Sequence, residues 1–254
     1  MTSELTAAGP SAGELWLRGA ETLLASWEQY ARDTAGATLQ RFAGVAVAVF
    51  PNDPERGVYN NALLDRDLGD SERADAVSAM ETAYRSAGVT RFAAWVRESD
   101  RAMQSELERR GYTIDEVTRA MGMALDDIRL PRPDIEFGAA PWSEHLRVGE
   151  LDPRLLSGLD PSAFHILVAA LRGVNVATAI AFDHRTDCGI YNVGTMETAR
   201  RRGLGTALTT IHLHDALARG CHTASLQSTA MAERMYASVG FRDLGRILEY
   251  VPRV

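Results

Sequence analysis

The sequence predicts an α/β protein made of two similar halves, each a mixed, mostly antiparallel sheet flanked by helices. Three observations predict it. Strand-length apolar runs alternate with a helix-period segment in the second half of the chain, and the same order recurs more weakly in the first half. The 254 residues, 46% of them hydrophobic, are enough for two small cores or one large one.

The elements follow in order. Residues 1 to about 12 are small and polar, and are expected to be poorly ordered. Residues 14–32 read as a helix and 45–50 as a strand. Val58-Tyr59-Asn60 parallels Ile190-Tyr191-Asn192, residues 71–87 parallel the long helix of the second half, and 91–96 parallel the strand after it. Leu107 to Gly111-Tyr112 parallels Tyr236 to Gly240-Phe241. Leu130-Pro131-Arg132-Pro133 is the best internal boundary, because two prolines disfavour both helix and central strand. It divides the chain into 1–130 and 131–254. Beyond it, residues 164–171 and 174–182 form a hairpin across Arg172-Gly173. A third strand at 189–195 precedes a helix at 203–219 that Gly220 caps. A short strand at 224–227, a helix at 231–239 stopped by Gly240 and an extended segment at 241–251 complete the chain.

Composition narrows the function. A net charge of −7 argues against general nucleic-acid binding, which needs a basic face. No stretch approaches the roughly 20 apolar residues of a membrane span, and no basic segment leads into an apolar run at the start, so a cytoplasmic protein is expected. Cys188 and Cys221 lie too far apart in sequence for a metal-ligand pair and read as buried thiols; no metal site is expected. All 27 basic residues are arginine. The missing lysine excludes a Walker-type phosphate loop, Schiff-base chemistry and a lysine base.

The informative segment runs from Val193-Gly194-Thr195 through Arg200-Arg201-Arg202 to Gly203-Leu204-Gly205-Thr206. It follows a strand and opens a helix, where unpaired N–H groups and a positive dipole end favour an anion, and two glycines let a ligand approach the backbone. A pyrophosphate suits such a site. The dinucleotide fingerprint fails, because Leu208 stands where a third glycine belongs. What remains is Arg200-x-x-Gly203-x-Gly205, and it resembles the coenzyme A loop of the GCN5-related N-acetyltransferases (GNAT). Downstream, Leu226-Gln227-Ser228, then Tyr236 and Gly240-Phe241, are similar to that family's closing strand and helix. The resemblance covers about residues 134–254.

The resemblance implies a GNAT-like fold for both halves and acetyl transfer from acetyl-CoA to an amine by direct attack in a ternary complex. It implies that the backbone of Val193, Gly194 and Thr195 binds the pantetheine arm, and that the N–H groups of Arg201 to Thr206, beside Arg200, hold the pyrophosphate. Tyr236 would protonate the departing thiolate. Thr229 replaces the family's usual asparagine, so Ser228 or Thr229 would supply a hydroxyl instead. The first half has acids around 68–74 and Leu107 at the tyrosine position, so one acetyl-CoA per chain is expected. Asp187, His184 and Glu197 are candidate bases, with proton loss through water an equal alternative. His212 and His214 are expected to face solvent. Tyr59, Asn60 and Asn61 are candidates to line an acceptor cleft between the halves. The acceptor would be a small-molecule or peptide amine, and the protein a monomer or homodimer. Two other classes stay open: an acyl-CoA sensor without turnover, and a scaffold without ligand.

Overall fold

Alternating apolar runs and glycine-stopped helices assemble one mixed sheet with helices on both faces. The computed structural model describes residues 9–52, 60–154, 156 and 159–253. The first part contains α1 (Ala12–Arg32), β1 (Thr38–Phe42), β2 (Val45–Val49), β3 (Asn61–Leu64), α2 (Asp70–Ser86), β4 (Ala93–Arg97), α3 (Arg101–Arg109) and β5 (Tyr112–Ala124). The second contains β6 (Phe137–Ala139), α4 (Trp142–Val148), β7 (His165–Leu171), β8 (Val174–His184) and β9 (Asp187–Thr195). It ends with α5 (Leu204–Ala218), β10 (Thr223–Ser228), α6 (Glu233–Val239) and β11 (Arg242–Pro252).

Local chemistry accounts for the ends. Ser11 caps α1, its hydroxyl accepting from the Glu14 N–H (3.2 Å) while the Glu14 carboxylate accepts from the Ser11 N–H (2.8 Å). Order therefore begins before residue 12, earlier than the composition suggests. Arg172 and Gly173 both take positive φ (55° and 76°), the two-residue turn that matches strand twist in the β7–β8 hairpin. Gly240 turns α6 into β11 at φ 133°, where an added Cβ would stand 2.7 Å from the Asp127 carbonyl oxygen.

The strands form one eleven-stranded sheet in the order β1-β2-β3-β4-β11-β5-β10-β9-β8-β7-β6. Two pairs are parallel, β3 with β4 and β9 with β10, each joined by a crossover helix. The last strand of each part is inserted beside the other part. β5 pairs with β10, and β11 lies between β4 and β5. Strand pairing thus crosses the proline boundary, and the sheet is continuous rather than divided there.

Four apolar clusters fix the layers. On one face α1 and α4 bury Leu23, Trp27, Tyr30, Trp142 and Leu146 against Ala120, Ile180 and Phe182. On the other, α2 and α3 cover β2, β4 and β11, while α5 and α6 cover β7 to β10. Helix α1 thereby spans strands of both parts, approaching β10 so closely that a Cβ on Gly19 would lie 2.8 Å from the Ser225 Cβ. Among the described residues no helix is long and apolar enough to cross a membrane.

Candidate active site

The site begins where two parallel strands part. β9 pairs with β10 only through Asp187, Cys188 and Gly189, opposite Thr223, Ala224 and Ser225. From Ile190 onward β9 keeps β8 on one side and has no strand partner on the other. A bulge aids the divergence: Tyr191 opposes Ile180 and Gly194 opposes Thr178, so Asn192 (φ 48°) and Val193 share one position of β8. The result is a V-shaped opening whose β9 edge, including Val193, Gly194 and Thr195, presents main-chain groups without a ladder partner.

At the top of the opening the chain turns through Glu197–Ala199 into α5. Arg201 (φ 60°) and Gly203 (φ 79°) adopt left-handed backbone, and Gly203 is the N-cap. No side chain caps this helix and no acid stands in its first turn; the first regular bond runs from the Ala207 N–H to the Gly203 carbonyl (2.9 Å). The N–H groups of Leu204, Gly205 and Thr206 are therefore the orphan donors of a helix start. Gly205 decides the fit. A Cβ there would meet only Val193 Cγ1 at 3.5 Å and Thr195 Oγ1 at 4.0 Å, so the protein's own packing does not demand glycine. Glycine in a helix costs about 1 kcal/mol against alanine. The bare N–H groups and the open backbone at Gly205 fit a diphosphate. Arg200 donates through Nε to the Thr195 carbonyl (3.2 Å), tying strand to loop, while Arg201 and Arg202 are exposed. The Leu204 side chain is buried against α5's own cluster, leaving only its N–H for the site.

Tyr236 lies on α6, buried, its ring edge-on to Phe241 at 5.9 Å, with no described residue bonding its hydroxyl. Burial pushes the phenol up to about 12, so it stays protonated at neutral pH. Ser228 is buried and donates to the Thr229 carbonyl (2.9 Å), so its proton is already used within the turn; Thr229 is the exposed hydroxyl of the pair.

Several expected placements are corrected. Asp187 is buried and accepts from Thr223 Oγ1 and Ser225 Oγ, both at 2.7 Å, at the closed end of the β8–β9 hairpin opposite His184. Gly194 lies seven positions further along β9, roughly 20 Å of extended chain, so Asp187 and His184 stand far from that end of the strand. Glu197 is exposed at the loop. Asn60 and Asn61 are buried in the first part, where Asn60 Oδ1 accepts from the Phe50 N–H (2.8 Å) and Asn61 pairs with Ala93; neither lines a cleft. Tyr59 lies outside the described residues. His212 faces the sheet rather than solvent, its Nε2 3.2 Å from the Ala179 carbonyl, and burial lowers it to about 4. His214 is half-buried against the Leu130 carbonyl at 3.0 Å. His145 on α4 is fully buried beside Thr178, and nothing in its local sequence marks it.

Comparison with known proteins bears on this geometry. Residues 132–241 match the acetyltransferase (GNAT) family model. Solved structures extend the likeness to the whole fold. A GCN5-related N-acetyltransferase from Kribbella flavida is 17% identical with a TM-score of 0.72, covering 93% of this chain and 96% of its own. One from Sphaerobacter thermophilus is 18% identical with a TM-score of 0.61, covering 95% and 93%. A GCN5-related N-acetyltransferase-like protein from Streptococcus suis is 14% identical with a TM-score of 0.54, covering 96% and 100%. No curated protein matches the chain's sequence. The GNAT family is thus supported by the matched segment and by a fold shared over nearly the full length, and acetyl transfer from acetyl-CoA is the activity that family suggests.

Proposed function

We propose that the protein transfers an acetyl group from acetyl-CoA to an amine by direct attack within a ternary complex. The observation that carries this is the bare start of α5, set at the mouth of the β9–β10 opening, with a glycine at 205 that the surrounding packing does not require. The N–H groups of Arg201 to Thr206 hold the diphosphate, assisted by the charge of Arg200, Arg201 and Arg202. The unpaired edge of Val193, Gly194 and Thr195 binds the pantetheine arm and orients the thioester carbonyl, whose developing oxyanion a main-chain N–H stabilises. Tyr236 donates its proton to the departing sulfur. The acceptor is a small-molecule or peptide amine.

We further read the chain as a tandem GNAT arrangement, with 1–130 degenerate and 131–254 catalytic. The β1-β2-β3-α2-β4-α3-β5 order matches β7-β8-β9-α5-β10-α6-β11, including the parallel pair in each, and supports this reading. Calorimetry with coenzyme A should give one site per chain, and thiol release from acetyl-CoA should rise with a suitable amine. Two equivalent sites would reject the degenerate half; no heat and no turnover would reject the function.

A further inference from the structure

His145 is a buried imidazole over β8, on the sheet face opposite α5. Its Nδ1 lies 2.7 Å from Thr178 Oγ1, and that hydroxyl donates to the Leu167 carbonyl at 3.1 Å. A hydroxyl has one proton, so Thr178 accepts from His145 and the imidazole carries its hydrogen on Nδ1. Nε2 is then a lone pair. It is buried and has no hydrogen-bond partner among the described residues. Leaving such a group unpaired costs about 1–3 kcal/mol, and apolar packing gives no return for it.

Position gives the cost a purpose. Thr178 stands opposite Gly194 in the β8–β9 register, and a Cβ on Gly194 would lie 3.7 Å from Thr178 Cγ2 and 3.3 Å from the Cα of Gly149, which ends α4. Thr178, Gly194 and α4 therefore share the sheet face away from α5, above the strand expected to orient the thioester. Tyr30 and Trp142 line the same face, their rings 6.5 Å apart, and Trp142 lies 5.1 Å from the His145 ring. Burial lowers His145 to about 4, so the imidazole is neutral at neutral pH and its Nε2 is unprotonated.

We propose that His145 is the catalytic base: its Nε2 accepts a hydrogen bond from the attacking amine and takes the proton as the carbon–nitrogen bond forms. This rests on the acetyltransferase reading above. The amine lone pair adds to the thioester carbonyl, its proton passes to Nε2, the carbon–sulfur bond breaks, and the sulfur takes the Tyr236 proton. The imidazolium then loses its proton to water and the tyrosinate regains one, leaving an amide and a free thiol.

The experiment compares wild type with His145→Asn, which keeps a donor for Thr178 but removes Nε2. Thiol release from acetyl-CoA is followed with the fastest of a panel of primary amines, or with water where no amine exceeds hydrolysis, alongside the thermal shift produced by coenzyme A. The expected result is a loss of kcat of about 100-fold with an unchanged thermal shift. His145→Ala should regain rate with added imidazoles in proportion to their basicity, which a merely structural role would not produce. A thermal shift with an undiminished rate overturns the role of His145 alone, whereas no shift in the wild type overturns the acetyltransferase reading beneath it. Should both variants fail to fold, the His145 Nε2 resonance of the wild type, followed by ¹⁵N NMR during titration with that panel in the presence of coenzyme A, decides: a shift supports the base and a static resonance overturns it.

Discussion

The β3–α2 unit and the β9–α5 unit share one topology, a strand crossing through a helix to a parallel neighbour, yet only the second opens. β3 begins at Asn61 and α2 at Asp70, nine positions later; β9 begins at Asp187 and α5 at Leu204, seventeen later. The extra length in the second unit is the unpaired strand edge and the glycine-arginine loop. The helix starts differ as sharply. Gly69 and Gly203 are both N-caps, but the Gly69 N–H donates to Glu72 Oε2 at 2.7 Å, and Asp70 pairs with Arg73. The first turn of α2 thus carries its own carboxylates, Asp70 and Glu72, whereas that of α5 carries none. Carboxylates at a helix start repel the anion that a bare start attracts.

The largest expected effect comes from converting one start into the other. Thr206 occupies the position of Glu72, three residues after the N-cap glycine, so Thr206→Glu places a carboxylate in the bare first turn of α5. Calorimetry should show coenzyme A affinity falling by at least about 100-fold, roughly 2.7 kcal/mol, while the melting temperature holds or rises. Unchanged affinity would remove the link between the bare helix start and binding.

Next is Tyr236→Phe, which deletes the proposed proton donor and keeps the ring against Phe241. We expect kcat to fall about 10–100-fold with coenzyme A affinity unchanged. With the phenol pushed up to about 12 by burial, the active protonated form persists as pH rises through 10 and is lost only near 12. The wild-type rate should accordingly show no loss between pH 8 and 10 traceable to this group. A fall in that range that Tyr236→Phe abolishes would contradict the environment described for the phenol.

Gly205→Ala sharpens the comparison most gently. The protein has room for the methyl, so the variant should be more stable by about 0.5–1 kcal/mol, a rise in melting temperature of about 2–4 °C. Coenzyme A affinity should drop by about tenfold, because the methyl stands on the path of the diphosphate. Stabilisation without loss of affinity would leave the glycine unexplained.

Much of this was legible in contiguous residues. Arg172-Gly173 encodes its turn, Gly220 and Gly240 encode their stops, and Arg200-x-x-Gly203-x-Gly205 marks a helix mouth, because each depends on backbone freedom and donors within a few positions. The misplaced residues were those whose environment is set from afar. Asn60 looked available for a cleft but bridges to Phe50, and His212 looked exposed on its helix but meets Ala179, 33 positions away.

The sequence by itself determined the element order from residue 164 onward, the absence of lysine chemistry and the position of the glycine loop. Only the tertiary structure decided that β5 and β11 insert beside the opposite part, that β9 leaves β10 after Gly189, and that His145 stands on Thr178. The reason is physical: a turn or cap is chosen by neighbours along the chain, whereas a strand's partner and a side chain's burial are chosen by the competition of all apolar surfaces for one core.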